Sequence, residues 1–248
     1  MFQCEKSLQT LLQKLHLQDA ARLWDYCARQ LHFSPAHGES AKKTGELNFG
    51  DDAGPLFRVY ISQNQLQRKG WLFQQAPRLR EHYQNYLLCE ARGIATRPAV
   101  CYAEDKMAAQ DSWRSVMVVA LDSLYVTSQS LQKHWTEQNL EQRKPILQAF
   151  ANQLNQLHKC RLAHHNLHPV NLLIQTGSLT TCLDQIEHLG YQWRSVVASV
   201  NDLATFLSGM PCFDAADTEF FLQQYWRDCN LGLTYQGLRQ RVLAQLAH

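Results

Sequence analysis

The sequence predicts an α+β fold in two parts, sheet-rich first and helical after. Three observations point to it. Between residues 56 and 62, Phe57, Val59 and Ile61 alternate with Arg58 and Tyr60, the period of a half-buried strand. Residues 115–121 are almost wholly apolar, as suits a central strand covered on both faces. From 140 to 158, Ile146, Leu147, Phe150, Leu154 and Leu157 recur at helical spacing against a face of Gln and Asn.

The chain opens on a helical stretch, 6–30, with apolar positions at Leu8, Leu11, Leu12 and Leu15, then Ala20, Leu23, Trp24 and Cys27. A break at 17–19 divides it into two helices, with Asp19 placed to cap the second. Residues 33–54 gather Ser, Pro, Gly and charge and read as loop, with Glu46-Leu47-Asn48-Phe49 a first short strand. The 56–62 strand sets Arg58 and Tyr60 on one face. Residues 77–90 are helical through Leu79, Tyr83, Tyr86 and Leu87, and Glu81 lies off that stripe. Strands at 99–103 and 115–121 join through a polar turn, 104–113, and 124–135 leads into a short helix. In the long helix after it, Pro145 is assigned to the first turn, where a missing N–H is tolerated. Residues 213–248 read as one or two closing helices, from Phe220, Phe221, Tyr225 and Trp226, then Leu238, Val242, Leu243 and Leu246. The expected parts are a helical extension (1–32), a sheet-rich lobe (33–121) and a helical lobe (122–248).

A chain of 248 residues with 45% hydrophobic content can bury a sizeable core. Lys and Arg total 24 against 22 Asp and Glu, so no global field for nucleic acid or a membrane is implied. Basic runs such as Arg68-Lys69 and Arg78-Leu79-Arg80 are solvated faces or local phosphate contacts. The eight cysteines are scattered, without C-x-x-C or the Cys/His spacing of zinc sites, and read as reduced, buried, small hydrophobes. No signal-peptide pattern opens the chain and no apolar run approaches the roughly 18 residues of a membrane span, so the expected compartment is the cytoplasm.

The chemistry concentrates between 162 and 187. Leu162-Ala163-His164-His165-Asn166-Leu167-His168-Pro169-Val170-Asn171 follows the pattern H-R-D-x-x-x-x-N, with His164 at its first position, Asn166 at the Asp position and Asn171 at its last. Apolar Leu172-Leu173-Ile174, a turn at Thr176-Gly177-Ser178, and Cys182-Leu183-Asp184 follow. His164, His165 and His168 also invite a zinc reading. No H-E-x-x-H spacing is present, and the loop pattern accounts for His164 without metal.

Further pieces fall in the same order. Phe57-Arg58-Val59-Tyr60 matches a nucleotide-lysine strand, with Arg58 in the lysine's place, and Arg80-Glu81-His82-Tyr83 matches a helix start carrying an acidic partner. Gly93-Ile94-Ala95-Thr96-Arg97-Pro98 matches a step into the next strand, and Val116-Met117-Val118-Val119-Ala120-Leu121 a strand entering a hinge. Leu183-Asp184-Gln185-Ile186-Glu187 and Asn201-Asp202-Leu203-Ala204 complete the set. On these motifs the chain, from about residue 56 to 208, resembles the bacterial lipopolysaccharide kinase family (InaA/WaaP type), a branch of the protein-kinase-like fold.

The resemblance implies a bilobal fold, with a small antiparallel-sheet N-lobe and a mainly helical C-lobe. It implies ATP- and Mg²⁺-dependent phosphoryl transfer to a sugar hydroxyl of lipopolysaccharide core, by a protein in the cytoplasm or peripheral to the inner membrane. Asn171 and Asp184 would hold Mg²⁺. Arg58, Glu81 and the backbone at Val119 and Leu121 would meet the nucleotide. Asn166 would orient the acceptor hydroxyl, His164 would prop the loop, and His168 stands where a Lys steadies the transferred phosphate. Asp202 would accept hydrogen bonds from the loop backbone, or serve as a helix N-cap. Residues 190–200 are too short for an activation segment.

Alternatives stay open at several positions. Arg58 is equally a solvent-facing residue, Glu81 an exposed neighbour of Arg80, and His165 a substitute base. Asn166 cannot take a proton, Arg58 is not Lys, and residues 48–54, with Asp51 and Asp52, make a poor Gly-rich loop. These departures support a second reading, a pseudokinase that keeps the fold as a non-catalytic binding module.

Overall fold

The computed structural model describes residues 1–36, 39–50, 54–69, 74–107, 112–192, 195–229 and 231–247. The chain divides into two compact units, residues 1–88 with 97–122, and residues 89–96 with 123–248.

The first unit is built on a five-stranded antiparallel sheet. In chain order its elements are β1 (Phe2–Cys4), α1 (Lys6–Lys14), α2 (Ala20–Gln30), β2 (Ala41–Asn48), β3 (Leu56–Gln63), a hairpin of β4 (Leu66–Lys69) and β5 (Gln74–Pro77), α3 (Arg78–Ala91), β6 (Ala99–Met107) and β7 (Ser112–Ala120). The order across the sheet is β1-β6-β7-β3-β2. Register gives each face its composition. Phe57 lies opposite Ala120, Val59 opposite Val118 and Ile61 opposite Val116, so these side chains share one face. That face forms a buried core with Leu8, Leu12, Leu23, Trp24 and Cys27 of α1 and α2. The other face carries Tyr60 opposite Met117, with Tyr102 beyond. There α3 packs, His82 edge-on to Tyr60 and Tyr83 stacked on Tyr102.

Asp19 caps α2, accepting from the Arg22 amide at 2.8 Å, as its position before the apolar run predicts. Other boundaries differ from expectation. The first strand of the 33–54 region begins earlier, at Ala41, as a largely exposed edge strand whose Lys42 and Lys43 suit an edge better than a core. β6 runs on through Glu104 to Met107, and β7 begins at Ser112, where a polar turn was expected; residues 108–111 of that turn lie outside the described residues. The reason is Glu104, which is buried but fully engaged. It accepts from Arg80 Nε at 2.9 Å and from the Tyr102 hydroxyl at 2.6 Å. A charged letter inside a strand therefore marks a satisfied site and not a turn.

The second unit comprises residues 89–96, β8 (Tyr125–Thr127), α4 (Gln132–Trp135), α5 (Leu140–Lys159), β9 (Leu162–Ala163), β10 (Leu172–Gln175), β11 (Thr180–Leu183), β12 (Gly190–Tyr191), α6 (Ser195–Ser208), α7 (Ala215–Asp228) and α8 (Tyr235–Leu246). Asn139 and Gln142 form a reciprocal capping box at the start of α5. With the cap there, Pro145 lies one turn further in than expected, inside the helix. α5 is the axis of the unit. Its Asn155 Nδ2 donates to the Tyr225 carbonyl of α7 at 2.9 Å, and its Gln153 Nε2 donates to the Ala95 carbonyl at 3.0 Å. Arg143 and the Trp135 indole converge on buried Asp217, at 2.7 and 2.8 Å. α8 packs on α6.

Candidate functional site

β10 and β11 form an antiparallel hairpin with Leu172 opposite Leu183 and Gln175 opposite Thr180. One step past the last ladder pair, Asn171 and Asp184 face each other, and the Asp184 amide donates to the Asn171 carbonyl at 2.8 Å. The hairpin thus sets the backbones of these two residues, which the loop pattern singled out, side by side. Both are 2% exposed.

Asn171 spends its Nδ2 on the Asn166 carbonyl at 2.7 Å, and its Oδ1 is buried with no hydrogen-bond partner. A buried amide oxygen without a partner is costly unless something outside the chain satisfies it. A hard divalent cation takes such oxygens together with a carboxylate, so the pair fits Mg²⁺. Among the described residues no group of three or more His, Cys, Asp or Glu is arranged to hold a metal ion.

The loop from His164 to Asn171 is held from several sides. The Asn166 carbonyl accepts from the His168 amide as well, at 2.8 Å. Buried Ser128 donates its hydroxyl to the Pro169 carbonyl at 2.7 Å. His164 is fully buried; its Nε2 lies 3.1 Å from the Asp184 carbonyl, to which it donates, so Nδ1 carries no proton. Burial holds this imidazole below its ordinary pKa, and it props the loop as a neutral ring.

Asp202, in the middle of α6, grips the loop from below. Its carboxylate accepts the His164 amide at 2.7 Å, the His165 amide at 3.0 Å and His158 Nε2 at 3.2 Å. It is therefore not a helix N-cap, the alternative its sequence context allowed, because the helix already runs from Ser195. His158 completes the chain of contacts, its Nδ1 lying 2.7 Å from the Tyr225 hydroxyl. Burial alone would raise the Asp202 carboxyl's pKa, but the hydrogen bonds and charge of His158 and the His164 amide more than offset it, and it lies below its usual value.

His165 takes a left-handed backbone, φ 60°, uncommon for a residue with a Cβ. The two Asp202 hydrogen bonds hold the backbone in this geometry. The side chains of His165, Asn166 and His168 are exposed, and that of Asn166 makes no hydrogen bond among the described residues.

Gly209, just past α6, was missed in the sequence because a glycine after a helix reads as a cap. Its role is close approach: a Cβ there would come within 2.6 Å of Pro169 Cγ and 3.5 Å of His168 Nε2. A proline ring cannot step aside as a flexible chain end can. Gly209→Ala is expected to cost about 1–3 kcal/mol in urea unfolding through overpacking, with the loss reduced when Pro169 is also changed to Ala.

The nucleotide-side candidates lie in the first unit. Arg58 is partly buried, and its Nη2 is 3.5 Å from Glu46, its direct cross-strand partner on β2. Glu81 is exposed in the first turn of α3, where its charge suits the positive end of the helix dipole. A helix-to-strand ion pair does exist, but with reversed sign and other residues: α3 supplies Arg80 and β6 supplies Glu104. Val119 is fully buried in the sheet between Arg58 and Ala99. The Leu121 amide donates to the Leu56 carbonyl at 3.0 Å, and the Ala120 amide to Pro98 at 2.9 Å. Neither amide is available to an adenine edge. Residues 51–53, in the segment that stands where a Gly-rich loop is expected, lie outside the described residues.

A comparison with family models matches residues 44–225 to the lipopolysaccharide kinase (Kdo/WaaP) family. Among solved structures, "WaaP in complex with acyl carrier protein" is similar, with a TM-score of 0.64 at 16% sequence identity, over 100% of this chain and 95% of that one. At that identity the likeness is one of fold, which is kinase-like. No curated protein matches the chain by sequence.

Proposed function

Because the chain belongs to the lipopolysaccharide kinase (Kdo/WaaP) family, we propose that it transfers a phosphoryl group from ATP, with Mg²⁺, to a sugar hydroxyl of lipopolysaccharide core. The observation that carries this reading is the pairing of Asn171 and Asp184, with the Asn171 Oδ1 buried and unpartnered. Mg²⁺ held there would neutralise charge on the phosphates, most of what phosphoryl transfer asks of a site. Asp184 supplies the anionic oxygen and Asn171 a neutral one. Asn166, exposed and without a side-chain partner, orients the acceptor hydroxyl through its amide oxygen. His168, exposed on the same loop, steadies the transferred phosphate when protonated. His164 and Asp202 do no chemistry; they position the loop. No helix of the described residues is long and apolar enough to cross a membrane.

Mg·ATP is expected to raise the melting temperature, and Asp184→Ala to remove the rise. At a nucleotide concentration of 100 Kd the stabilisation is about 2.7 kcal/mol, readily seen in a thermal scan. A wild type indifferent to millimolar Mg·ATP would overturn the nucleotide reading. One observation favours the second reading, a pseudokinase: among the described residues an ion pair joins Arg58 to Glu46 on its own sheet. Turnover of ATP against a core-glycan acceptor separates the two, since a pseudokinase shows the melting shift without turnover.

A further inference from the structure

We propose that Cys4 and Cys101 are an oxidisable thiol pair, closing a reversible disulfide between β1 and β6 when the chain meets hydrogen peroxide. The two are direct partners in the β1–β6 register. The ladder around them fixes which kind of pair they form. Met1 and Glu104 exchange both backbone hydrogen bonds, at 2.8 and 2.9 Å, and the Glu5 amide donates to the Val100 carbonyl at 2.8 Å. Hydrogen-bonded and non-hydrogen-bonded pairs alternate along an antiparallel ladder. Counting inward from both ends, Cys4 and Cys101 occupy a non-hydrogen-bonded position. There Cα atoms stand about 4.5 Å apart and side chains approach most closely, within the span of about 4.4–6.8 Å that a disulfide bridges.

The register sets the two thiols against each other, and the Cys4 thiol donates to the Glu5 carbonyl at 3.5 Å. The neighbouring Cys101 thiol holds Cys4 below its ordinary pKa, and the neighbouring Cys4 thiol together with burial holds Cys101 above its own. Cys4 is partly exposed while Cys101 is 0% exposed. Cys4 is thus the sulfur an oxidant reaches. Cys27 lies in the same core but differs in kind: its thiol is fully buried and pushed up to about 12.

The steps balance. The Cys4 thiolate attacks one peroxide oxygen, the O–O bond breaks, and the departing hydroxide takes a proton to leave as water, giving a sulfenic acid. The Cys101 sulfur then attacks the Cys4 sulfur. The S–S bond forms, and the hydroxide that leaves takes the Cys101 proton as a second water. Two thiols lose two electrons, and one peroxide becomes two waters. The product ties β1, at the sheet's edge, to β6.

The test treats the folded full chain with hydrogen peroxide, blocks remaining thiols with N-ethylmaleimide, and maps peptides by mass spectrometry with and without dithiothreitol. A Cys4–Cys101 linked peptide, lost on reduction and retained in Cys27→Ala, is expected. The oxidised chain should also melt higher than the reduced chain, and Cys4→Ser, at a partly exposed position, should show no such rise. Cys4 recovered as a sulfinic or maleimide adduct with Cys101 unlinked overturns the proposal. So does an equal rise in Cys4→Ser.

Discussion

Asn166→Asp is expected to raise phosphoryl transfer to a core-glycan acceptor by about 10²–10⁴-fold, the usual worth of a positioned general base. The substitution is nearly isosteric. The Asn166 side chain is exposed and makes no hydrogen bond among the described residues, so no contact is lost. What Asn166 gives the loop is its carbonyl, which accepts from Asn171 Nδ2 and the His168 amide, and Asp keeps that carbonyl. Stability should therefore change by no more than about 0.5 kcal/mol. ATP turnover measured for wild type, Asn166→Asp, and Asn166→Asp with Asp184→Ala separates the effects. The double variant should fall back to background. A single variant no faster than wild type would mean that proton removal does not limit the reaction, or that no transfer occurs.

Asp202→Ala is expected to destabilise the second unit by about 3–5 kcal/mol, the range for removing one partner of a buried charged network. Three donors lose their acceptor together: the amides of His164 and His165, and His158 Nε2. A typical domain has about 5–15 kcal/mol to lose. Asp202→Asn keeps an oxygen for one or two of these donors and should lose less. The ionised carboxylate also predicts a pH dependence. Its folded pKa lies below the ordinary 3.8, so folding favours the charged form. That contribution is full above 3.8 and is lost as the pH falls through the folded value. Urea midpoints followed from pH 6 downward should show the wild type losing more stability in acid than Asp202→Asn.

Much of the fold was legible because pattern and burial agree. The alternation at 56–62 became β3, and Leu147, Phe150, Leu154 and Leu157 became the inner face of α5, with Ile146 only half-buried. Asn171 and Asp184 were singled out by the H-R-D-x-x-x-x-N pattern and the family resemblance, and the hairpin sets their backbones side by side. What failed to show in the sequence depends on contacts between distant segments. β1 is three residues whose pairing with β6 nothing local announces. Glu104 looked like turn material because its partners, Arg80 and Tyr102, are invisible to periodicity. Among the described residues Arg58 pairs with Glu46, a cross-strand neighbour set by register, while Glu81 is exposed. Gly209 signals a helix end, and only the Pro169 ring above it explains why no side chain fits.

The two faces of the five-stranded sheet carry a lesson for expression work. The family match starts at residue 44, yet the apolar face of Phe57, Val59, Ile61, Val116 and Val118 is roofed by α1 and α2, which lie wholly upstream. A clone trimmed to the match would strip that roof and present a greasy, β-rich slab to water, the kind of surface that drives inclusion bodies. Its far end at 225 would also discard α8, which packs on α6, the helix that carries Asp202. The limits of family likeness and the limits of a self-sufficient folding piece are different boundaries in this chain.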